Sequence, residues 1–154
     1  RRPELQLVIA GGGRGDYEQK MRALVERLGL GKRVCFTGRV DELAPYYAAS
    51  RLVVIPSLSE GIPITLMEAL ALERPVVCSL LRGTHEFASE IPSIRWARPG
   101  DSGDLARAIE ASLDHPPDTA PGLALALEHS WDKVVTRYLK VYEEASGTPA
   151  FPAS

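Results

Sequence analysis

Ile55-Pro-Ser-Leu-Ser-Glu-Gly-Ile-Pro-Ile-Thr-Leu-Met-Glu-Ala-Leu-Ala71 decides how the rest of this chain is read. It begins where the apolar run Leu52-Val-Val-Ile55 stops at Pro56. A short polar loop follows, then the helix-forming run Leu66-Met-Glu-Ala-Leu-Ala-Leu72. A buried strand, a tight loop and a helix start, in that order, is the arrangement in which α/β proteins bind phosphates. The N–H groups of Ile64, Thr65 and Leu66 are expected to point out of the helix start, where donors and dipole together stabilise an anion. Pro63 has no N–H and only shapes the loop. Two carboxylates frame the stretch: Glu60 in the loop and Glu68 one turn inside the helix. Acids beside an anion site are unfavourable unless they have another task. Accepting hydrogen bonds from sugar hydroxyls is such a task, because a carboxylate is acceptor-only.

Working outward, 154 residues make one domain with a substantial core. A hydrophobic content of 45% and a charged content of 25% are ordinary globular values. A net charge of −2 supplies no basic field, so nucleic acid is not an expected partner. No apolar run reaches the roughly 20 residues of a membrane span, and no signal peptide opens the chain. Cys35 and Cys78 fall in separate predicted strands and are expected to be free, buried thiols in a reducing compartment. The expected setting is cytoplasmic.

Towards the N-terminus, Leu5-Gln-Leu-Val-Ile9 predicts a strand apolar enough to be buried on both faces, leading into the turn Ala10-Gly-Gly-Gly-Arg-Gly15. That turn does not give the G-x-G-x-x-G of a dinucleotide site. Asp16, with Gln19 three positions on, predicts a capping box for a helix with the stripe Tyr17, Met21, Leu24, Val25 and Leu28, ended by Gly29. Arg33-Val-Cys-Phe-Thr37 predicts the second strand, and Asp41 a cap for a short helix with Pro45 in its first turn. Beyond the central stretch come a strand at Pro75-Val-Val-Cys78, a loop from Ser79 to Ile91 and a strand at Ile94-Arg-Trp-Ala97. A helix starts at Asp101 or Ser102 and stops in Asp114-His-Pro-Pro-Asp118. The last helix carries Trp131, Val134, Val135, Tyr138, Leu139, Val141 and Tyr142, a face broad enough to pack on the domain and leave surface for a partner domain. Residues 146–154 read as a disordered tail and 1–145 as the domain. Alternation of strands with helices predicts a doubly wound, Rossmann-like parallel sheet in a three-layer α/β/α sandwich. No His, Cys or Asp cluster has metal-site spacing.

Ser59-Glu-Gly-Ile-Pro-Ile-Thr-Leu-Met-Glu-Ala-Leu70 resembles the E-x7-E signature of the retaining nucleotide-sugar glycosyltransferases of family 4 (group 1), in the nucleotide-binding C-terminal domain of the GT-B fold. Val34-Cys-Phe-Thr-Gly-Arg-Val40 is similar to the family's F-x-G segment, whose backbone reads the nucleotide base. Arg82-Gly-Thr-His-Glu86 resembles its G-G-x-P-E segment, with Arg82 in place of a glycine and His85 in place of the proline. The family also has glycine where Glu73 stands, so either Glu73 bears a left-handed strain or the turn differs. His85 suggests a base by its chemistry, but the family places none there.

The resemblance covers residues 5 to 145 and implies a donor-binding domain. A hexosyltransferase of this kind moves a sugar from a nucleoside diphosphate donor to an acceptor hydroxyl, with no cofactor and no required metal. It assigns Glu60 to the donor-sugar hydroxyls beside the reacting carbon and Glu68 to the ribose hydroxyls. It carries donor binding to Gly13, Gly38, Arg39, Val40, Gly61, Ile62, Ile64, Thr65 and Leu66. The family's domain opens with one more strand and helix, bearing an Arg and a Lys that clamp the diphosphate, so the chain reads as a GT-B C-terminal half lacking that unit and inactive alone. The implied partners are the donor and an N-terminal acceptor-binding domain, through which peripheral membrane association is open. Another GT-B enzyme, such as a sugar-nucleotide epimerase, and a non-enzymatic nucleotide-binding α/β module are the alternatives. Sugar, base, acceptor and oligomeric state are not specified by the motifs.

Overall fold

A computed structural model describes residues 2–12 and 15–146. The chain divides into two compact units, Arg1–Pro45 and Tyr46–Ser154. Ser146 closes the last helix, and the tail expected beyond it, 147–154, lies outside the described residues.

In the first unit β1 (Leu7–Ala10) runs parallel to β2 (Val34–Gly38), with Leu7 opposite Val34 and an irregularity between Ile9 and Ala10. α1 (Tyr17–Arg27) connects them. β1 is not buried on both faces as expected: all four residues are exposed, Leu7 and Val8 by about half. Two strands and one helix have too few neighbours within this unit to cover both faces, and Cys35 on β2 is exposed for the same reason. The expected capping box does not form either. Asp16 occupies the N-cap position with φ −89° and ψ 2°, not the extended backbone that aims a capping side chain at the first turn. Its carboxylate instead pairs with Lys20 at 2.7 Å. The helix ends as read, with Gly29 donating to the Glu26 carbonyl at 2.9 Å.

α2 (Ala44–Ala49) joins the units and starts at Ala44 rather than behind Asp41; Pro45 does sit in its first turn. The second unit then runs β3 (Val53–Ile55), α3 (Ile64–Ala71), β4 (Val76–Ser79), α4 (Arg82–Ala88), β5 (Ile94–Ala97), α5 (Ser102–Asp114), α6 (Ala120–Glu128) and α7 (Trp131–Ser146). The sheet order is β3-β4-β5, every pair parallel, with Val53, Val76 and Ile94 in register. β4 is buried along its whole length because it has a strand on either side, α3 packed on β3 and β4, and α5 packed on β4 and β5. Leu66, Leu70, Val76 and Val77 are fully buried, each stabilising the unit by about 1.5–3 kcal/mol. Asp101 caps α5 as expected, from an extended backbone, accepting the Asp104 N–H at 2.9 Å.

Three expectations are corrected here. The segment Ser79 to Ile91 contains the helix α4, closed by an Arg82–Glu86 pair at 2.9 Å one turn apart, despite Gly83. α6 falls where the sequence reading has only the stop Asp114-His-Pro-Pro-Asp118 and no element before Trp131. Pro121 is tolerated in the first turn, and Gly122 is required by contact: a Cβ there would lie 2.8 Å from both Leu70 Cδ2 and Ser93 Oγ, so glycine lets α6 press against α3. α7 buries none of its residues, and Trp131, Tyr138 and Tyr142 are each exposed by well over half. Among the described residues no helix is long and apolar enough to cross a membrane.

α3 stops in a left-handed turn. Glu73 has φ +54°, its N–H donates to Leu70 O at 3.0 Å, and Arg74 N–H reaches Ala69 O at 2.9 Å. That is a Schellman closure with glutamate at the glycine position. Left-handed backbone costs a side-chain-bearing residue about 1–2 kcal/mol, partly offset by the unfolded-state entropy that glycine restores. Glu73→Gly is therefore expected to stabilise the chain by about 0.5–1 kcal/mol, read as a raised urea midpoint at unchanged slope. A lowered midpoint would mean that the Glu73 side chain contributes more than its backbone costs.

Cys78 is 2% exposed, and burial, reinforced by the nearby Glu60 charge, pushes its thiol up to about 11 from an ordinary value of 9.0. Cys35 should react with a thiol reagent in the native chain and Cys78 only after unfolding. Because the folded Cys78 holds its proton more tightly than the unfolded one, its contribution to stability is intact below about pH 9. It is lost as the pH rises towards 11. Urea midpoints at pH 8 and pH 10.5 should show an alkaline loss in wild type that is smaller in Cys78→Ala, the remainder coming from groups such as Tyr47.

Candidate active site

The loop between β3 and α3 carries Glu60 and α3 itself carries Glu68, so both framing carboxylates lie in one unit. Leu66, Ala69 and Leu70 face the core at 0–1% exposure, which turns the opposite side of α3 outward and exposes Ile64, Thr65 and Glu68. Pro63, extended at φ −70° and ψ 130°, sets the helix start and gives it no side-chain cap. The expectation of three free donors is corrected: Leu66 donates its N–H to the Pro63 carbonyl at 3.0 Å, and its side chain is inaccessible. Ile64 and Thr65 keep N–H groups with no acceptor among the described residues.

Each carboxylate is held by one neutral hydroxyl. Ser57 donates to Glu60 Oε1 at 3.2 Å, and the Tyr47 phenol donates to Glu68 Oε2 at 2.8 Å. Neither glutamate pairs with a cation among the described residues, and each has one oxygen without a protein partner there. The loop itself is tied to α4, where fully buried Thr84 donates to the Gly61 carbonyl at 2.6 Å. Burial, and after it the hydrogen bond to Glu68, raise the Tyr47 pKa well above the ordinary phenol range, so it remains a donor at any working pH.

Tyr47, Thr84 and Ser57 are the residues that sequence reasoning missed. Thr84 lies inside the segment Arg82–Glu86 already singled out. Tyr47 acts across 21 positions and leaves no local signal. Of the other candidates, Gly61 and Ile62 are exposed in the same loop as Glu60. Gly38, Arg39 and Val40 belong to the first unit, where Gly38 ends β2 at φ +66° and its carbonyl accepts the Gly11 N–H and the Thr37 hydroxyl, each at 2.9 Å. Arg39 is exposed and Val40 half-buried. Gly13 lies outside the described residues.

A cavity of about 170 Å3 opens at the carboxyl ends of β3, β4 and β5, with Pro56, Leu58, Ser79 and Arg98 in its wall; neither glutamate lines it. His85 is a packing residue, its ring edge-on to Trp96 at 5.0 Å. His129 is likewise occupied, by the Leu125 carbonyl at 2.9 Å and the Phe87 ring. Among the described residues no group of three or more His, Cys, Asp and Glu side chains is placed to hold a metal ion.

Solved structures share this fold. Sucrose-phosphate synthase of Thermosynechococcus elongatus superposes with a TM-score of 0.85 at 26% identity, over 94% of this chain and 39% of that one. HepE of Anabaena, in a complex with UDP-glucose, superposes with a TM-score of 0.82 at 25% identity, over 94% of this chain and 42% of that one. In sequence, the O-antigen chain mannosyltransferase B of Escherichia coli is 33% identical over 142 residues, 88% of this chain and 37% of that protein. The chain thus spans little more than a third of the length of such relatives. These neighbours bear out the α/β, GT-B reading of the sequence. The family described as glycosyl transferases, group 1, matches residues 1–115, three quarters of the chain and all of the strand-loop-helix site, and the chain belongs to that family.

Proposed function

We propose that this chain is the donor-binding domain of a retaining glycosyltransferase that moves a hexosyl group from a nucleoside diphosphate sugar to an acceptor hydroxyl. The observation that carries the reading is the pair of unpaired, hydroxyl-held carboxylates at the two ends of one loop and helix start. Glu60 accepts hydrogen bonds from the transferred sugar beside the reacting carbon. Glu68 accepts them from the ribose. The Ile64 and Thr65 N–H groups meet the charge that grows on the leaving diphosphate, a task a divalent ion performs in other transferases. Gly61 and Ile62, in the same loop as Glu60, border the sugar. HepE, held with UDP-glucose, supports a sugar-nucleotide donor, and the mannosyltransferase supports sugar transfer, with the acceptor bound by an N-terminal domain of the parent protein.

Electrostatics favours this division of labour. A carboxylate offers no donor and repels phosphate, whereas it binds vicinal hydroxyls well. Helix N–H groups do the reverse. Ile64 and Glu68 are four positions apart, about 6 Å along the axis, so phosphate and ribose of one ligand can occupy both.

The test is steady-state kinetics on the full-length parent. Glu68→Ala should raise KM for the donor with a smaller effect on kcat, because ribose contacts are equal in ground and transition states. Glu60→Ala should fall mostly on kcat. Each is expected to cost roughly ten- to 150-fold, the value of a hydrogen bond between a charged group and a hydroxyl. Wild-type kinetics in both variants would reduce the stretch to two solvated acids and sink the proposal.

A further inference from the structure

We infer that Tyr47 is the positioning residue for Glu68, its phenol fixing which carboxylate oxygen is left to meet the ribose. This rests on the reading of Glu68 given above. Tyr47 is 7% exposed, yet its hydroxyl reaches the exposed carboxylate at 2.8 Å and takes Oε2. Oε1 has no partner among the described residues.

Tyr47 is itself fixed at both ends. Its carbonyl accepts the Ser50 hydroxyl at 2.8 Å and the Ser50 N–H at 3.0 Å. The Ser50 carbonyl in turn accepts Arg74 Nη1 at 3.3 Å, just past the left-handed turn that ends α3. The backbone of α2 is thus tied to the far end of α3, while the phenol is tied to its exposed middle.

The choice of a phenol has a chemical reason. Lysine or arginine would hold Glu68 too, but with several donors and a charge that would compete with ribose for the carboxylate. A phenol donates one hydrogen bond and no charge. It removes rotamer freedom from a glutamate on an open helix face while leaving one oxygen available. A glutamate oriented in advance binds hydroxyls without first being ordered.

The experiment compares ribose with a sugar that lacks it, in the full-length parent. Whichever of UDP, GDP and ADP binds tightest by titration calorimetry is paired with its 2′,3′-dideoxy form. Tyr47→Phe should bind the ribonucleotide about tenfold more weakly and the dideoxy form as wild type does, with kcat little changed. Glu68→Ala should show the same selectivity, and the double variant should be no weaker than Glu68→Ala alone, since Tyr47 acts only through Glu68. Wild-type affinity of Tyr47→Phe for the ribonucleotide would overturn the inference. So would an equal loss for both nucleotides, the mark of a packing role. Equal loss in Glu68→Ala would mean instead that Glu68 does not read ribose, and the role of Tyr47 would go with it.

Discussion

The second unit depends on one constraint: α3 must bury Leu66, Ala69 and Leu70 and still present Glu68 to solvent. Three apolar positions spaced three and four apart fix the rotation of a helix about its axis. With β3 and β4 beneath and α6 pressed against it through Gly122, α3 has no freedom to roll. Everything on its outer side inherits that rigidity, including Ile64 and Thr65 at the start and Glu68 a turn later. The functional groups are therefore placed by hydrophobic burial, worth several kcal/mol, and only trimmed by hydrogen bonds worth about 1 kcal/mol each.

That trimming uses hydroxyls throughout. Ser57 holds Glu60, Tyr47 holds Glu68 and Thr84 holds the Gly61 carbonyl between them. A cation in any of these places would neutralise a carboxylate and fill its lone pairs. Elsewhere the chain uses cations freely on its acids, as in Arg22–Glu18, Arg82–Glu86 and Arg107–Asp104. Those pairs lie at the surface, where solvent screens them and they contribute little. Glu60 and Glu68 are spared them, in keeping with carboxylates kept for a ligand.

Legibility in the sequence followed locality. β5 was readable to the residue, and α5 to within a residue at its start and the stop Asp114–Asp118 at its end, because their signals sit in the segment. The E-x7-E stretch was readable for the same reason, with Pro63 marking the helix start. What failed depends on neighbours that sequence spacing does not reveal. α6 carries no local sign that Gly122 meets α3, which shows only once Leu70 and Ser93 are seen to lie where a Cβ would go. The apolar strand Leu7–Ala10 and Cys35 looked buried because apolar runs usually are, and burial is a property of what covers them. Tyr47 read only as part of a short helix, since its phenol finds Glu68 across 21 positions.

Glu73 shows how the same constraint reaches beyond the site. A helix that cannot roll must also end at a set point, because Val76 has to enter the sheet in register with Val53 and Ile94. Only Glu73, Arg74 and Pro75 separate Leu72 from Val76, too few to turn the chain back except through a left-handed residue. Glutamate therefore takes a conformation glycine would adopt more cheaply, at about 1 kcal/mol. The closure it permits places Arg74 where its guanidinium meets the Ser50 carbonyl, and Ser50 steadies Tyr47. Strain in the turn and order in the carboxylate are thus two ends of one chain of contacts. It runs from Glu73 through Arg74, Ser50 and Tyr47 back to Glu68.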